Sequence, residues 1–294
     1  MRNTRLFALA TVLFILLCTG SNAWAKSSVW KVSKDDDYIY LGGTIHVLSE
    51  EDHPLPEEFA QAYADAQEIV LESDLAGAGS ADFQQRMVAA MVFTDGRTLS
   101  SELNEDTYAK LAAFMAERQI PIEQFAPFQP WGVSLILSVE EYRALGMVPE
   151  YGVDAHFAEQ ASADDKTILS LETLDQQLEF LSSLADMDPN LAIEYTLQDL
   201  ESASDWLGEL KDAWHDGDLA RIENNAVAIR FKDDFPDVYE TLLVSRNNNW
   251  MPQIVDMFGD DEKEIVLVGA LHMVGEDGLI AQLEEQGFSV VQLD

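Results

Sequence analysis

The sequence holds one cysteine in 294 residues, Cys18, and it falls inside an apolar leader. That excludes a disulfide framework and a thiolate zinc site. Basic residues are scarce too: 17 Lys and Arg stand against 54 Asp and Glu, a formal charge of −37. Binding a phosphate backbone needs a basic surface, so a nucleic-acid partner is excluded, and anionic lipid heads are disfavoured on the same ground. No apolar run reaches the roughly 20 residues that a membrane helix takes. There is no G-x-x-x-x-G-K-[ST], no G-x-G-x-x-G after a strand, no H-E-x-x-H and no G-x-S-x-G. The ordinary nucleotide, zincin and serine-hydrolase readings go with them. No Gly/Ser linker divides the chain and no solenoid repeat runs through it. What is present is a hydrophobic fraction of 47%, enough to fill a core.

Arg2 and Arg5 precede an apolar run over residues 6–17, and Ala23-Trp24-Ala25 follows. A basic start, a short apolar run and an A-x-A end make a secretory signal over residues 1–25. Bulky Leu17 before Cys18 argues against a lipoprotein. The mature chain, residues 26–294, is expected to be periplasmic or secreted, and free of the membrane once the signal is cut. Its acidity has two readings, adaptation to salt or attraction of cations. The first predicts that stability rises with sodium chloride, because salt screens like-charge repulsion. Denaturant midpoints across a salt series check it; a flat series counts against it.

The two ends of the mature chain share a pattern. Residues 29–32 and 38–41 read as a hairpin, and the second strand runs into Gly43-Thr44-Ile45-His46. A loop, a helix near residues 56–66 and a strand over 68–72 follow. Near the C-terminus, a strand over 264–268 runs into Gly269-Ala270-Leu271-His272, then a loop, a helix over about 277–285 and a strand over 288–293. The expected fold is α/β: one sheet built from two βαβ-like halves at the chain ends, with a large helical insertion over about 80–260. Within the insertion, residues 167–171 read as another sheet strand and residues 241–258 as a helix. A single domain is expected.

Of the five histidines, His46 and His272 occupy matching places after a strand and a glycine. Ligands collect beyond the carboxyl ends of strands in open α/β sheets, so two imidazoles from the two halves can meet. Glu72 and Glu172 each end an apolar run, both read as interior strands. Aligning the halves sets Gln292 opposite Glu72, so only one half supplies this carboxylate. Two His and a carboxylate form a common set for a divalent metal with open positions, zinc included. Arg246 shares a helix face with Leu243, Trp250, Ile254 and Met257; a guanidinium buried on that stripe needs a carboxylate or an anionic ligand. The bland alternatives are capping roles for the glutamates and a packed stem with a wet head for Arg246. His53 and His215 read as loop and solvated residues.

An ordered series of short motifs now stands out: Gly43-Thr44-Ile45-His46, Leu71-Glu72-Ser73-Asp74, Pro130-Trp131, Gly152-Val153-Asp154, Leu171-Glu172-Thr173 with Gln176, Arg246-Asn247, and Gly269-Ala270-Leu271-His272 followed by Val274-Gly275. In order and number these resemble the TraB/GumN family, which includes the Tiki proteins, over most of the mature chain. The resemblance implies a fold similar to the erythromycin-esterase and ChaN-like group. Tiki members are metal-dependent proteases that favour manganese or cobalt, and their ligands match His46, Glu72 and His272. Other members are tied to inhibition of peptide pheromones or to polysaccharide loci, so the family does not fix a substrate. The resulting expectation is a metal-dependent hydrolase, a peptidase acting on exported peptides. Glu172 and Arg246 are its catalytic candidates, and Asp154 and Asn247 its substrate contacts. The alternatives are a peptide-binding or sequestering protein without turnover, and a hydrolase of non-peptide esters.

Overall fold

The computed structural model describes residues 27–259 and 261–294. The expected signal, residues 1–25, lies outside them. Six strands form one sheet: β1 (Val29–Lys34), β2 (Asp37–Thr44), β3 (Glu68–Leu71), β4 (Thr167–Ser170), β5 (Glu264–Gly269) and β6 (Ser289–Gln292). Their order is β4-β3-β5-β2-β1-β6. β1 runs antiparallel to both its neighbours, while β2, β5, β3 and β4 pair in parallel. Hence β6 is parallel to β2 as well. The two expected βαβ units exist, with the helices Glu57–Asp65 and Leu279–Glu285 as their crossovers. They interleave, because β5 slots between β2 and β3. The chain ends meet where β1 pairs with β6.

All six residues of β5 are buried, as are Ile69, Val70 and Leu71 of β3. Burial of successive residues means that both faces of the sheet are covered, which is why these runs read as continuously apolar. Phe59, Phe157 and Trp214 from three helices meet over one face, with centroids 6.1 and 5.7 Å from Phe59. Each such buried side chain contributes about 1.5–3 kcal/mol. A separate core, including Leu111, Phe114, Val133, Leu137 and Ile193, holds part of the helical insertion together. Among the described residues, no helix is long and apolar enough to cross a membrane.

Two expectations need correction. β4 is an edge strand rather than an interior one: its four residues are all exposed. A short apolar run carries the same pattern whether one or both of its sides are paired. Gln292, set against Glu72 in the alignment of the halves, brings no carboxylate, as expected. It sits on the opposite edge strand, where its amide donates to the carbonyls of Ser27 (2.9 Å) and Gly217 (2.7 Å). The helix expected over 241–258 is not uniform. One π-helical turn, Glu240–Val244, leads into the helix Ser245–Asp256, where Arg246 is the second residue. Such turns are frequent at functional sites.

Candidate functional site

The parallel strands end together, and each delivers one group to the same place. β2 leads to His46, β3 to Glu72, β4 to Glu172 and β5 to His272. Thr44 of β2 lies in register with Gly269 of β5, so the two Gly-x-x-His segments leave adjacent strands side by side. The carbonyl of Gly43 is tied down by the indole Nε1 of Trp214 at 2.6 Å. Gly152 begins the helix Val153–Ala163 directly beneath His46, where a Cβ would run into the His46 carbonyl. The Val153 amide donates to Ile45 O at 3.1 Å, and the two segments lock together.

Hydrogen bonds fix the tautomer of His272. The Asn247 amide donates through Nδ2 to the carbonyls of His272 (3.3 Å) and Asp277 (2.9 Å). Its Oδ1 must then be the acceptor for His272 Nδ1 at 2.7 Å. The Nε2 lone pair is left to face the site. His46 is held similarly, with Nδ1 2.9 Å from Asp154 Oδ2, while Thr44 Oγ1 donates to Asp154 Oδ1 at 3.0 Å. Glu72 Oε1 accepts from the Gly269 amide at 2.6 Å and stands 3.7 Å from His46 Nε2 and 3.8 Å from His272 Nε2. The three groups expected to converge therefore do so, although 26 to 200 and more residues separate them along the chain.

Arg246 joins them. Its guanidinium grips Glu172 with two bonds, Nε to Oε2 (3.0 Å) and Nη2 to Oε1 (2.7 Å). Nη2 also donates to Glu72 Oε2 at 2.6 Å, and Nη1 to His272 Nε2 at 3.2 Å. The side chain is only 12% exposed. The expected buried guanidinium thus has its carboxylate, twice over. Asp154 and Asn247, expected at the substrate, hold the Nδ1 atoms of the two imidazoles, and Asp154 lines the same cleft as His46 and Glu72. Trp250 was read only as part of the apolar stripe. It lies under the site, its ring 4.5 Å from that of His272 and 4.6 Å from the guanidinium carbon. Asp74 and Thr173 take the bland capping roles considered for the glutamates, at the helices Leu75–Ala78 and Leu174–Ser182. His215 is exposed at a helix end, as expected.

A family model, that of the TraB/PrgY/gumN family, matches residues 28–292. The chain belongs to the TraB/PrgY/gumN family. Similar proteins include the uncharacterized protein YbaP of Escherichia coli (strain K12), 24% identical over 243 residues that cover 82% of this chain and 86% of that protein. YbaP of Shigella flexneri matches to the same extent. No solved structure matches.

In this TraB/PrgY/gumN protein two imidazole nitrogens and one carboxylate oxygen converge, donor types that a divalent ion accepts. Two imidazoles have Nδ1 engaged behind them and Nε2 directed at one carboxylate oxygen, the arrangement that orients metal-binding histidines. A Cβ built on Gly269 would lie 3.2 Å from His46 Nε2, 3.3 Å from Glu72 Oε1 and 3.7 Å from His272 Cδ2. The missing side chain thus leaves room that all three groups face. Among the described residues, no three His, Cys, Asp or Glu enclose a point in ligand geometry. His272 Nε2 is engaged by Arg246.

The electrostatics separate the groups. Asp154 pushes His46 up to about 9, against the opposing effect of burial. Burial takes His272 down, to about 3, and keeps it neutral. Burial alone would raise Glu72, but the neighbouring imidazoles, Arg246 and the Gly269 amide hold it down at about 2. Glu172 is raised, chiefly by burial, with Arg246 opposing. The His46–Asp154 pair stabilises the fold fully below the ordinary imidazole value of about 6.5 and loses that contribution as pH rises toward 9. The ring is 58% exposed, so solvent screens the gain. An NMR titration should find His46 well above 6.5, and Asp154→Asn should bring it back down. A His46 titration unmoved by Asp154→Asn would break the assignment.

Proposed function

We propose that this protein is a metal-dependent hydrolase, a peptidase acting on exported or extracellular peptides. The observation that carries the reading is the pair of imidazoles, each held at Nδ1 and directing Nε2 at one carboxylate oxygen beyond the ends of parallel strands. His46, Glu72 and His272 would hold the ion, manganese, cobalt or zinc. When bound, such an ion polarises a carbonyl and lowers the pKa of a bound water. The chain's own residues set the stage. Asp154 and Asn247 hold the rings. Arg246 keeps the buried carboxylates ionised and supplies N–H groups to negative charge that develops beside them. Glu172, raised by burial, is the candidate to take up a proton at a carboxylate oxygen.

The test is incubation of the mature protein with a diverse peptide mixture plus manganese, cobalt, zinc or EDTA, with new termini sought by mass spectrometry. Cleavage that depends on metal supports the reading; its absence with all three metals defeats it. Gly269→Ala gives a second readout. Its methyl enters the room between the three donors, so metal affinity measured by titration calorimetry should fall at least about tenfold, with stability changed by less than about 1 kcal/mol. Unchanged affinity would move the ion elsewhere. One observation favours a different class, a peptide-binding protein without turnover: Arg246 engages Glu72, Glu172 and His272 together. Tight peptide binding without products would decide for it.

A further inference from the structure

The sheet ends at β4, and beyond it, among the described residues, no strand pairs. Its four residues are exposed, including Ile168 at 39% and Leu169 at 41%. Alternate residues of such an edge turn their N–H and C=O groups outward. Natural edges are blunted by lysine, proline, a bulge or a covering segment. Thr167-Ile168-Leu169-Ser170 contains neither residue type. Lys166 stands at its start, but its Nζ is turned inward, donating to the carbonyls of Tyr63 and Ala66. The strand then runs into an open groove of about 680 Å³, lined by Ser170, Glu172, Thr173, Gln176, Gln253 and Asp74. Glu172 joins that groove to Arg246 and the converging imidazoles.

From this arrangement we infer that the β4 edge takes up an extended, cationic peptide segment as an added strand and leads it toward the Glu172 end of the cleft. The inference rests on the reading of the cleft as a peptide site. Main-chain hydrogen bonds supply affinity in this mode, and alternate side chains supply selectivity. Charge chooses the occupant. Asp164 and Asp165 stand before the strand and Asp74 and Asp175 beyond it; Asp175 pairs with Arg86 and Asp164 lies near Lys166, so acidic groups outnumber cations at both ends of the strand. A second copy of the chain would bring another −37 to the same edge and be repelled. A basic strand is attracted, and its apolar residues can cover Ile168 and Leu169. The opposite edge, β6, exposes Val291 at 58% but has four strands between it and β4.

The probe is acetyl-Lys-Val-Lys-Val-Lys-Val-amide carrying a fluorophore, measured by anisotropy with EDTA present. It should bind, while the Glu-for-Lys peptide should not. Leu169→Lys should weaken binding at least about tenfold, and Val291→Lys should leave it unchanged. N-methylation of alternate amides should abolish it, a check that leaves the protein untouched. Equal binding of the Lys and Glu peptides, of the methylated and plain peptides, or to Leu169→Lys and wild type overturns the inference. So does an equal loss in Val291→Lys, or no binding at all. A dimer in sedimentation that Leu169→Lys breaks, without probe binding, would make a second copy the occupant and also overturns it. A bound but uncut probe, on adding metal, leaves this inference standing, and the diverse peptide mixture then decides the hydrolase reading separately. Metal-dependent cleavage that Leu169→Lys does not slow defeats this one alone.

Discussion

Arg246→Ala will destabilise the protein by about 3–5 kcal/mol at neutral pH, the range for removing one partner of a buried ion pair. The guanidinium neutralises two carboxylates that are otherwise almost wholly buried, Glu72 at 8% and Glu172 at 5% exposure. Without it they face each other as like charges, and His272 Nε2 loses its donor. Arg246→Lys should recover only part of the loss, because an ammonium cannot make the forked contact to Glu172. Adding Glu172→Gln to Arg246→Ala should restore more, since one buried charge then disappears. The acid limb carries a sign. Glu72 is held down at about 2, so its contribution is present above the ordinary carboxylate range and lost as pH falls through about 2. Glu172 is raised and works the other way, costing stability as pH rises past its unfolded value. In Arg246→Ala the loss relative to wild type should therefore shrink in acid. Urea unfolding at pH 7 and pH 4 measures both effects. A loss below about 1 kcal/mol at pH 7 would mean that the pair is solvated and the site open around it.

His46→Ala and His272→Ala should each abolish metal-dependent turnover and cut metal affinity by more than about 100-fold, beyond the 10- to 100-fold that loss of a supporting residue costs. Asp154→Asn and Asn247→Asp, which disturb only the groups behind the rings, should fall inside that lower range. The two histidines will differ in stability. His46 is more than half exposed, so its removal should cost little. His272 is buried against Trp250, and its loss strands Asn247 Oδ1, for about 1–3 kcal/mol. Metal binding by His272→Ala should be read well below its melting temperature. His215→Ala is the control, on an exposed helix end. A comparable fall in His215→Ala would mean that the wrong histidines are chosen. Metal still bound and cleavage unchanged in His272→Ala would remove the two-half site altogether.

Much of the site was legible because its signals are local. Strand, Gly-x-x-His, loop, helix and strand occur at both ends, and both His46 and His272 follow from that spacing. Arg246 was legible because a cation on the stripe of Leu243, Trp250 and Ile254 contradicts its neighbours. What was not legible is non-local. The insertion of β5 between β2 and β3 leaves no trace in either segment, and the edge position of β4 cannot be read from four residues. The rotamer of Asn247, which sets the His272 tautomer, depends on carbonyls from two other places in the chain. That Asp154 and Asn247 hold ring nitrogens could not be read from the motifs, because a residue beside a ligand and one behind it have the same spacing.

The interleaved strand order also dictates when the protein can come into being. β5, the strand that joins β2 to β3, spans Glu264–Gly269, and β6, which closes the far edge, follows it at Ser289–Gln292. Until Glu264–Gly269 has been made, β2 and β3 have no strand to share, and their apolar faces wait for one. The sheet is therefore completed only when β5 and β6 have been made, and His272 arrives with them. A chain cut before Glu264 cannot keep a reduced version of the site, because the missing piece is the middle of the sheet rather than its margin.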